Sequence, residues 1–342
     1  MAHALYQKYR PQAFSEVIGQ SHVIKALEQA VSSGRPSHAY VLSGGRGTGK
    51  TSLARIFAKA LGSSDADIIE MDAASHTGVD DVREIIDSAS VLPFSSQFKV
   101  YILDEAHMLS RAAFNALLKT LEEPPPHALF ILATTDPEKL PDTVLSRCAV
   151  FLLDKPRNTA IETALSRAIK GESREAEAEA LTLMAIMADG SFRDGLSLLE
   201  QILRSYPHGK IERAHVEQMT GAPKGEYVSD VLAALDHADP ERALKAVRAL
   251  EADGANPQVF MQLLVSTVRS VIYTRFGGAG AGEELSKESE HTQSLVNSFV
   301  KGKHVNSALL ESLISLHGEV RRSPMPYVLL EARLITLSEK GK

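Results

Sequence analysis

Short apolar runs and longer helical patterns alternate through the first half of the chain. Five runs are short enough to be strands, and they lie at residues 39–42, 67–71, 99–103, 129–133 and 150–153. Between them apolar residues recur at helical spacing, as in the set Phe114, Leu117, Leu118 and Leu121. Strands that alternate with helices favour a mostly parallel sheet with helices on both faces. We therefore predict an α/β domain with a five-stranded parallel sheet.

The strand pattern stops near Asn158, and helical patterns fill the remainder. Residues 221–225 read Gly-Ala-Pro-Lys-Gly, which is typical of a linker. The glycine-rich residues 277–282 predict a flexible loop inside the last helical region. The predicted domains are a nucleotide-binding domain at 1–157, a small helical lid at 158–220 and an all-α domain at 221–342.

Residues 44–51 form a complete G-x-x-x-x-G-K-T phosphate-binding loop between a predicted strand and a predicted helix. The glycines let backbone N–H groups close around phosphate oxygens, and the helix N-terminus adds a favourable dipole. We expect Lys50 to contact the β- and γ-phosphates of ATP and Thr51 to hold Mg²⁺. The nucleotide-binding residues predicted here are Gly44, Gly45, Arg46, Gly47, Thr48, Gly49, Lys50, Thr51 and Ser52.

Two carboxylates and a threonine end the next strands of the pattern. Asp104 and Glu105 follow an apolar strand, where Asp104 can bind Mg²⁺ through water and Glu105 can polarise the attacking water. A solvated strand end is the alternative, and the phosphate loop favours the catalytic interpretation. Thr135 closes the following strand and could orient the same water, although β-branched polar residues are common at strand ends.

Two arginines complete the candidate chemistry. Arg147 precedes the fifth predicted strand, and Arg193 follows Ser191, which could cap a helix with Asp194. A lone arginine is usually a surface charge. In this context we expect Arg147 to reach the nucleotide of a neighbouring subunit and Arg193 to contact the γ-phosphate of its own, because a planar, permanently charged guanidinium suits both tasks.

The length, composition and charge of the chain indicate which general class of protein it belongs to. The chain has 342 residues, a net charge of −6, 44% hydrophobic and 23% charged residues, which is typical of a globular protein of two or three domains. The absence of a membrane-length apolar run and of a charged-then-apolar leader predicts a cytoplasmic protein with no membrane partner. Cys148 is the only cysteine, so we expect no disulfide and no zinc site, and we interpret Cys148 itself as a small, partly buried residue rather than a nucleophile.

Together these motifs resemble the AAA+ clamp-loader ATPases, and within them the bacterial DNA polymerase III gamma/tau subunits. The similarity is dense over residues 5–203 and thin afterwards. The stretches that carry it are 9–20 (Tyr-Arg-Pro with Phe14, Val17, Ile18, Gly19 and Gln20), 44–51, 102–108, 114–125 and 146–148.

The resemblance implies an AAA+ P-loop domain, a helical lid and a helical collar that joins subunits into a ring. Thr135 corresponds to the first sensor, Arg193 to the second sensor and Arg147 to the arginine finger that acts in trans. The adenine pocket implied by the resemblance comprises Tyr9, Arg10, Pro11, Val17 and Ile18.

The implied function is that of an ATP-hydrolysing clamp-loader subunit that opens a sliding clamp and loads it onto primer–template DNA. The implied partners are the delta and delta prime subunits and copies of this chain, bound through the collar and the AAA+ domains, with the clamp and the DNA. Two departures stand out: residues 60–65 run directly to the next strand where the family usually has a four-cysteine zinc module, and no tail for polymerase or helicase is expected. The alternatives are another AAA+ DNA motor of the branch-migration type and a non-hydrolysing scaffold subunit.

Overall fold

The computed structural model describes residues 4–285 and 290–339. It forms two compact units. The first unit contains the described residues up to Ala168 together with Ala188–Glu200, and the second contains Ile169–Met187 and the described residues from Gln201 onward. The helices of the predicted lid are thus divided between the two units, and the division into three domains stays a prediction.

The first unit is built on the predicted parallel sheet. Its strands are β1 (Ala39–Ser43), β2 (Ile68–Asp72), β3 (Lys99–Asp104), β4 (Ala128–Thr134) and β5 (Ala149–Leu152). They pair in the order β2-β3-β4-β1-β5, and each pairing is parallel. Because parallel strands end on the same edge, the residues that follow β1, β3 and β4 are brought together there. The five-stranded parallel sheet is confirmed.

Helices cover both faces of the sheet. The helices that precede the predicted lid are α1 (Leu5–Lys8), α2 (Ser21–Ser32), α3 (Lys50–Ala60), α4 (Val79–Ala89), α5 (Arg111–Glu122) and α6 (Asp142–Leu145). Alternate β3 residues face opposite sides: Tyr101 packs with Phe114 and Leu117 of α5. Ile102 packs with Phe57 of α3 on the other face. The central strands β1, β3 and β4 are buried on both faces, which explains why they read as continuous apolar runs rather than as alternating patterns.

Helices follow the sheet in both units. They are α7 (Asn158–Gly171), α8 (Ala178–Met187), α9 (Phe192–Ser205), α10 (Arg213–Thr220), α11 (Gly225–Asp236), α12 (Pro240–Ala252), α13 (Pro257–Phe276), α14 (Gly278–Leu285), α15 (Glu290–Phe299), α16 (Ser307–Arg322) and α17 (Pro326–Glu339). Residues 221–224 connect α10 to α11 within the second unit, and Gly225, the last residue of the predicted linker, begins α11. None of the helices in the described ranges combines the length and the apolar character needed to cross a membrane.

The loop predicted at residues 277–282 is wrong. Gly277 ends α13, and the residues from Gly278 to Leu285 form α14. Each glycine costs a helix about 1 kcal/mol relative to alanine. The alanine, glutamate and leucine residues of the same stretch favour a helix and offset that cost.

Candidate active site

The phosphate loop lies between β1 and α3 and takes the backbone conformation that its glycines permit. Gly47 and Gly49 have φ of 69° and 103°, in the left-handed region that a side chain disfavours. Gly49 is the N-cap of α3, and Lys50 is the first residue of that helix. The unpaired N–H groups of the first turn of α3 therefore point toward the loop, which is the arrangement that binds phosphate.

Lys50 lies inside this loop. Its side chain is 5% exposed, and Nζ donates hydrogen bonds of 2.9 Å to the carbonyl oxygens of Gly44 and Gly45. Burial lowers the pKa of Lys50, whereas the carboxylates of Glu105 and Asp104 oppose that shift. The ammonium group is therefore fixed between the loop and two carboxylates, where it can act as a point charge for a phosphate group.

Thr51 and Asp104 meet at the end of β3. The hydroxyl Oγ1 of Thr51 donates a 2.7 Å hydrogen bond to Oδ2 of Asp104. Mg²⁺ prefers oxygen ligands and is commonly held by one or two protein groups together with water and phosphate oxygens. This hydroxyl–carboxylate pair beside the phosphate loop fits such an ion.

Glu105 has a strained backbone and a hydrogen-bonded side chain. Its φ is 48°, in the left-handed region, which costs a non-glycine residue on the order of 1–3 kcal/mol and occurs most often at functional sites. Thr135 Oγ1 donates a 3.2 Å hydrogen bond to Glu105 Oε2. The structure thus brings the predicted water-polarising carboxylate and the predicted first sensor into direct contact.

His107 is a neighbour of this carboxylate that sequence reasoning missed. The His107 side chain is 9% exposed, with Nδ1 3.1 Å from Thr134 Oγ1 and 3.5 Å from Glu105 Oε2. Its Nε2 lies 3.4 Å from Asp136 Oδ2. The imidazole therefore links the ends of β3 and β4 and lies beside the Glu105 carboxylate. The sequence feature that could have pointed to His107 is its position two residues after Glu105.

These groups border one cavity of about 290 Å³ in the first unit. The predicted residues that line it are Tyr9, Arg10, Pro11, Val17, Ile18, Arg46, Gly47, Thr48, Gly49, Lys50, Thr51, Ser52, Asp104, Glu105 and Arg193. Gly44 and Gly45 contribute the carbonyl groups that hold Lys50, and Thr135 lies one hydrogen bond away, on Glu105. The sequence did not predict that Tyr6 and Leu196 also line the cavity.

The first turn of α9 is joined to the phosphate loop. The N–H of Phe192 donates a 3.0 Å hydrogen bond to the carbonyl of Gly47. Ser191 Oγ accepts a 3.1 Å hydrogen bond from the N–H of Asp194, as a helix N-cap does. A Cβ atom added to Gly47 would lie 2.0 Å from Ser191 Oγ, so only glycine allows this approach. Arg193 therefore enters the cavity from a helix that contacts the loop directly.

Arg147 is not one of the described residues that line this cavity. Its Nη2 donates a 2.6 Å hydrogen bond to Glu122 Oε1, at the C-terminal end of α5. Its Nη1 donates to the carbonyl of Thr143 at 2.6 Å. The Arg147 side chain is 33% exposed, and Glu122 and the Thr143 carbonyl hold its guanidinium at the surface of the first unit.

Cys148 is packed beside the sheet core. Burial raises the pKa of its thiol to about 11. The group is therefore a protonated thiol near neutral pH, in agreement with an inert, partly buried cysteine.

The segment that stands where the family's zinc module was expected is held by hydrogen bonds. Ser63 Oγ donates to the carbonyl of Phe98 at 2.9 Å, and Ser64 Oγ donates to Asp67 Oδ2 at 2.9 Å. Within residues 4–285 and 290–339, no three His, Cys, Asp or Glu side chains are grouped closely enough to hold a metal ion.

Three stretches match family models. Residues 62–157 match "DNA polymerase III, delta subunit", residues 160–205 match "DNA polymerase III clamp loader subunit, ATPase lid domain", and residues 211–340 match "DNA polymerase III subunits gamma and tau domain III". Among solved structures, the Thermotoga maritima RuvB Holliday junction branch migration motor has a TM-score of 0.54 at 24% identity. That alignment covers 66% of this chain and 79% of RuvB, and it shows the shared AAA+ fold.

Relatives found by sequence have a higher identity to this chain than RuvB has. The tau subunit of Bacillus subtilis (strain 168) DNA polymerase III is 35% identical over 98% of this chain and 63% of its own length. For the Escherichia coli (strain K12) tau subunit the identity is 38%, over 82% of this chain and 47% of the relative. The gamma subunit of Buchnera aphidicola subsp. Schizaphis graminum is 42% identical over 65% of this chain and 67% of the relative. The chain thus spans about half to two thirds of the length of these relatives, and it belongs to the gamma/tau family of DNA polymerase III clamp-loader subunits.

Proposed function

We propose that this protein is an ATP-hydrolysing motor subunit of a sliding-clamp loader. One observation carries the proposal: a single cavity holds the phosphate loop, the Thr51–Asp104 pair, and Glu105 in contact with Thr135. A non-hydrolysing scaffold subunit has no need of this complete set. The fold shared with RuvB does not by itself favour branch migration, because the family matches are to clamp-loader subunits.

Nucleotide binding uses the loop and the surrounding side chains. The backbone N–H groups of residues 45–51 and the ammonium of Lys50 would hold the phosphates, and Tyr9, Arg10 and Pro11 with Val17 and Ile18 would surround the adenine. Lys50 would exchange its contacts with the loop carbonyls for phosphate oxygens. Mg²⁺, held by Thr51 and through water by Asp104, would supply neutralising charge for the β- and γ-phosphates.

Hydrolysis transfers the γ-phosphoryl group to water. A carboxylate oxygen of Glu105 would accept a hydrogen bond from the attacking water and receive its proton, while the Thr135 hydroxyl and His107 keep that carboxylate in place. The bond between the γ-phosphorus and the bridging oxygen breaks as the bond to the water oxygen forms. Arg193 would stabilise the γ-phosphate from the same chain, and Arg147 would act on the nucleotide of a neighbour.

The proposal also covers how this subunit assembles with other subunits and acts on the clamp and DNA. We infer that the helices beyond Gly221 form a collar that joins this chain to copies of itself and to delta and delta prime subunits. ATP binding would organise the ring that opens the clamp and holds primer–template DNA, and hydrolysis would release both. Contacts with DNA would be mainly to phosphates, so binding should weaken with salt and depend little on sequence. A cytoplasmic location and the lack of a zinc requirement are part of the same proposal.

Two substitutions test the catalytic assignment. Lys50→Ala should abolish ATP binding, because the phosphates lose their buried point charge. Glu105→Gln should preserve binding and slow hydrolysis by about 10²–10⁴-fold, the usual contribution of a general base. Binding is measured by calorimetry and turnover by phosphate release, with the exposed Lys25→Ala and Glu84→Gln as matched controls. Equal loss of binding in both site variants would contradict the role of Glu105, and normal binding by Lys50→Ala would contradict the nucleotide site.

A further inference from the structure

The aromatic ring of Tyr6 lies against the guanidinium of Arg193. The Arg193 Cζ atom is 5.6 Å from the centre of the Tyr6 ring, within the range of a cation–π interaction. Both side chains line the cavity that contains the phosphate loop. Tyr6 therefore contacts the arginine proposed for the γ-phosphate, although the two residues are far apart in the sequence.

A second contact fixes the helix that carries Tyr6. The N–H of Leu5, at the start of α1, donates a 3.0 Å hydrogen bond to Oε2 of Glu200 in α9. Leu5 itself is buried, with 7% of its surface exposed. Arg193 and Glu200 are seven residues apart in α9 and so lie on the same face of that helix. The short helix α1 thus contacts α9 at two points, which fixes the ring of Tyr6 relative to Arg193.

Arg193 lies among other charged side chains in the cavity. The guanidinium of Arg193 is close enough to Lys50 to lower the pKa of that ammonium group, in addition to the larger effect of burial. Burial and the charge of Arg55 lower the pKa of Arg10, the carboxylates of Glu70 and Asp104 oppose that shift, and Arg193 adds a smaller lowering effect. Arg193 thus shares the cavity with the cations of Lys50 and Arg10 and with the carboxylates of Asp104 and Glu105, and the Tyr6 ring adds an attraction that restrains its side chain.

An aromatic ring is a suitable partner for an arginine that must bind phosphate. A carboxylate would neutralise the guanidinium and compete with the phosphate for its N–H groups. The face of a tyrosine ring attracts the cation through its quadrupole and leaves the charge and the N–H groups at the edge of the guanidinium available. The ring thus restrains the side chain without occupying its hydrogen-bond donors.

We propose that Tyr6 is a positioning residue that holds Arg193 toward the γ-phosphate of the bound nucleotide. The inference rests on the proposed function of the cavity as an ATP site. It assigns to the N-terminal helix α1 a part in distinguishing ATP from ADP, since only ATP carries the phosphate that Arg193 would contact.

The test compares aromatic and aliphatic residues at position 6 in the full chain. Affinities for ADP and for a non-hydrolysable ATP analogue are measured by calorimetry for Tyr6→Phe, Tyr6→Leu and Tyr6→Met. The aliphatic variants should lose about 3- to 20-fold in affinity for the ATP analogue, as expected for one cation–π contact. Their affinity for ADP should change little, and Tyr6→Phe should behave as the unmodified protein. Tyr273→Leu, on α13 of the second unit, is the matched control.

A double-mutant cycle decides whether the effect passes through the arginine. Tyr6→Leu should cost nothing more in an Arg193→Ala background, because the contact is already lost. Equal loss for ADP and the ATP analogue would make Tyr6 a base-contacting residue and overturn the proposal, as would unchanged affinities or a loss that persists without Arg193. Lys50→Ala separates this outcome from failure of the site: if it abolishes binding, a negative Tyr6 result contradicts the positioning role alone.

Discussion

Two guanidinium groups, that of Arg193 in the cavity and that of Arg147 at the surface, have partners of different charge. Arg193 lies against a neutral ring and near the cation of Lys50, so its charge is not compensated by that contact. Arg147 lies against the carboxylate of Glu122. A phosphate entering the cavity would relieve repulsion, whereas a phosphate reaching Arg147 would have to compete with a carboxylate. We propose from this difference that the first arginine serves a site within its own chain and the second a site that a neighbour completes.

Arg147→Ala should have the largest effect on turnover in the assembled loader. An arginine supplied in trans contributes about 10³–10⁵-fold in related phosphate-loop enzymes. The variant should keep its own nucleotide affinity and lose ATPase activity stimulated by clamp and DNA. Calorimetry and phosphate release measure the two quantities, with the exposed Arg111→Ala as the control.

Mixed rings then separate action in trans from action in cis. A Lys50→Ala subunit with an intact Arg147, placed beside the site of an Arg147→Ala subunit, should restore hydrolysis at that interface. If rings shown to be mixed restore none, Arg147 acts in cis or has a structural role, and the contrast between the two arginines fails.

Truncation after Gly221 should prevent assembly, and with it the action proposed for Arg147, and should leave nucleotide binding in the cavity intact. Without the helices from α11 onward the chain should no longer self-associate or join loader subunits, so stimulated turnover should fall to the level of Arg147→Ala. Nucleotide affinity should persist, provided that circular dichroism shows the remaining helices and sheet to be folded. Sedimentation measures the oligomeric state. An unchanged state after truncation would refute the collar and leave these helices as a self-contained bundle.

Arg193→Ala should have an intermediate effect that is confined to the chain's own nucleotide. Losing a charged hydrogen bond to the γ-phosphate costs about 1.5–3 kcal/mol, or roughly 10- to 150-fold in affinity for an ATP analogue. Affinity for ADP should stay nearly constant, and the exposed Arg157→Ala should change neither. A loss of the same size for ADP would place Arg193 on another part of the nucleotide.

Glu122→Ala should change the isolated protein only slightly. Both members of the ion pair are partly exposed, with 33% of the Arg147 and 49% of the Glu122 side chain accessible. Such pairs contribute about 0.2–1 kcal/mol to folding. Urea unfolding should show a decrease of that size relative to Glu123→Ala, with the nucleotide affinity unchanged. A large loss of stability would show that Arg147 is a structural residue.

Removal of zinc should have the smallest effect, namely none. Cys148 is the only thiol in the chain, and structural zinc sites need about four ligands. Metal analysis of the purified protein should find little or no zinc, and a zinc-selective chelator should leave nucleotide binding and thermal stability unchanged. Stoichiometric zinc that resists dialysis would contradict the prediction and direct attention to the histidines.

Local patterns were sufficient for the framework of the site. The sheet strands fall within about one residue of the predicted runs because each is a short, mostly apolar run. The phosphate loop reads directly because its glycines meet a local backbone requirement at Gly47 and Gly49. Asp104 and Glu105 could be assigned because the end of a parallel strand has one location relative to the loop.

The partners of these residues depend on contacts between distant segments. Tyr6 meets Arg193 only because α1 packs on α9, and His107 joins Glu105 to Asp136 only because β3 and β4 are adjacent. Glu122 reaches Arg147 through the course of α5, which no spacing in the sequence reveals. Periodicity reports which residues are buried and in which element they lie. Which two side chains meet is set by how the elements pack, so these positioning contacts became visible only in the folded chain.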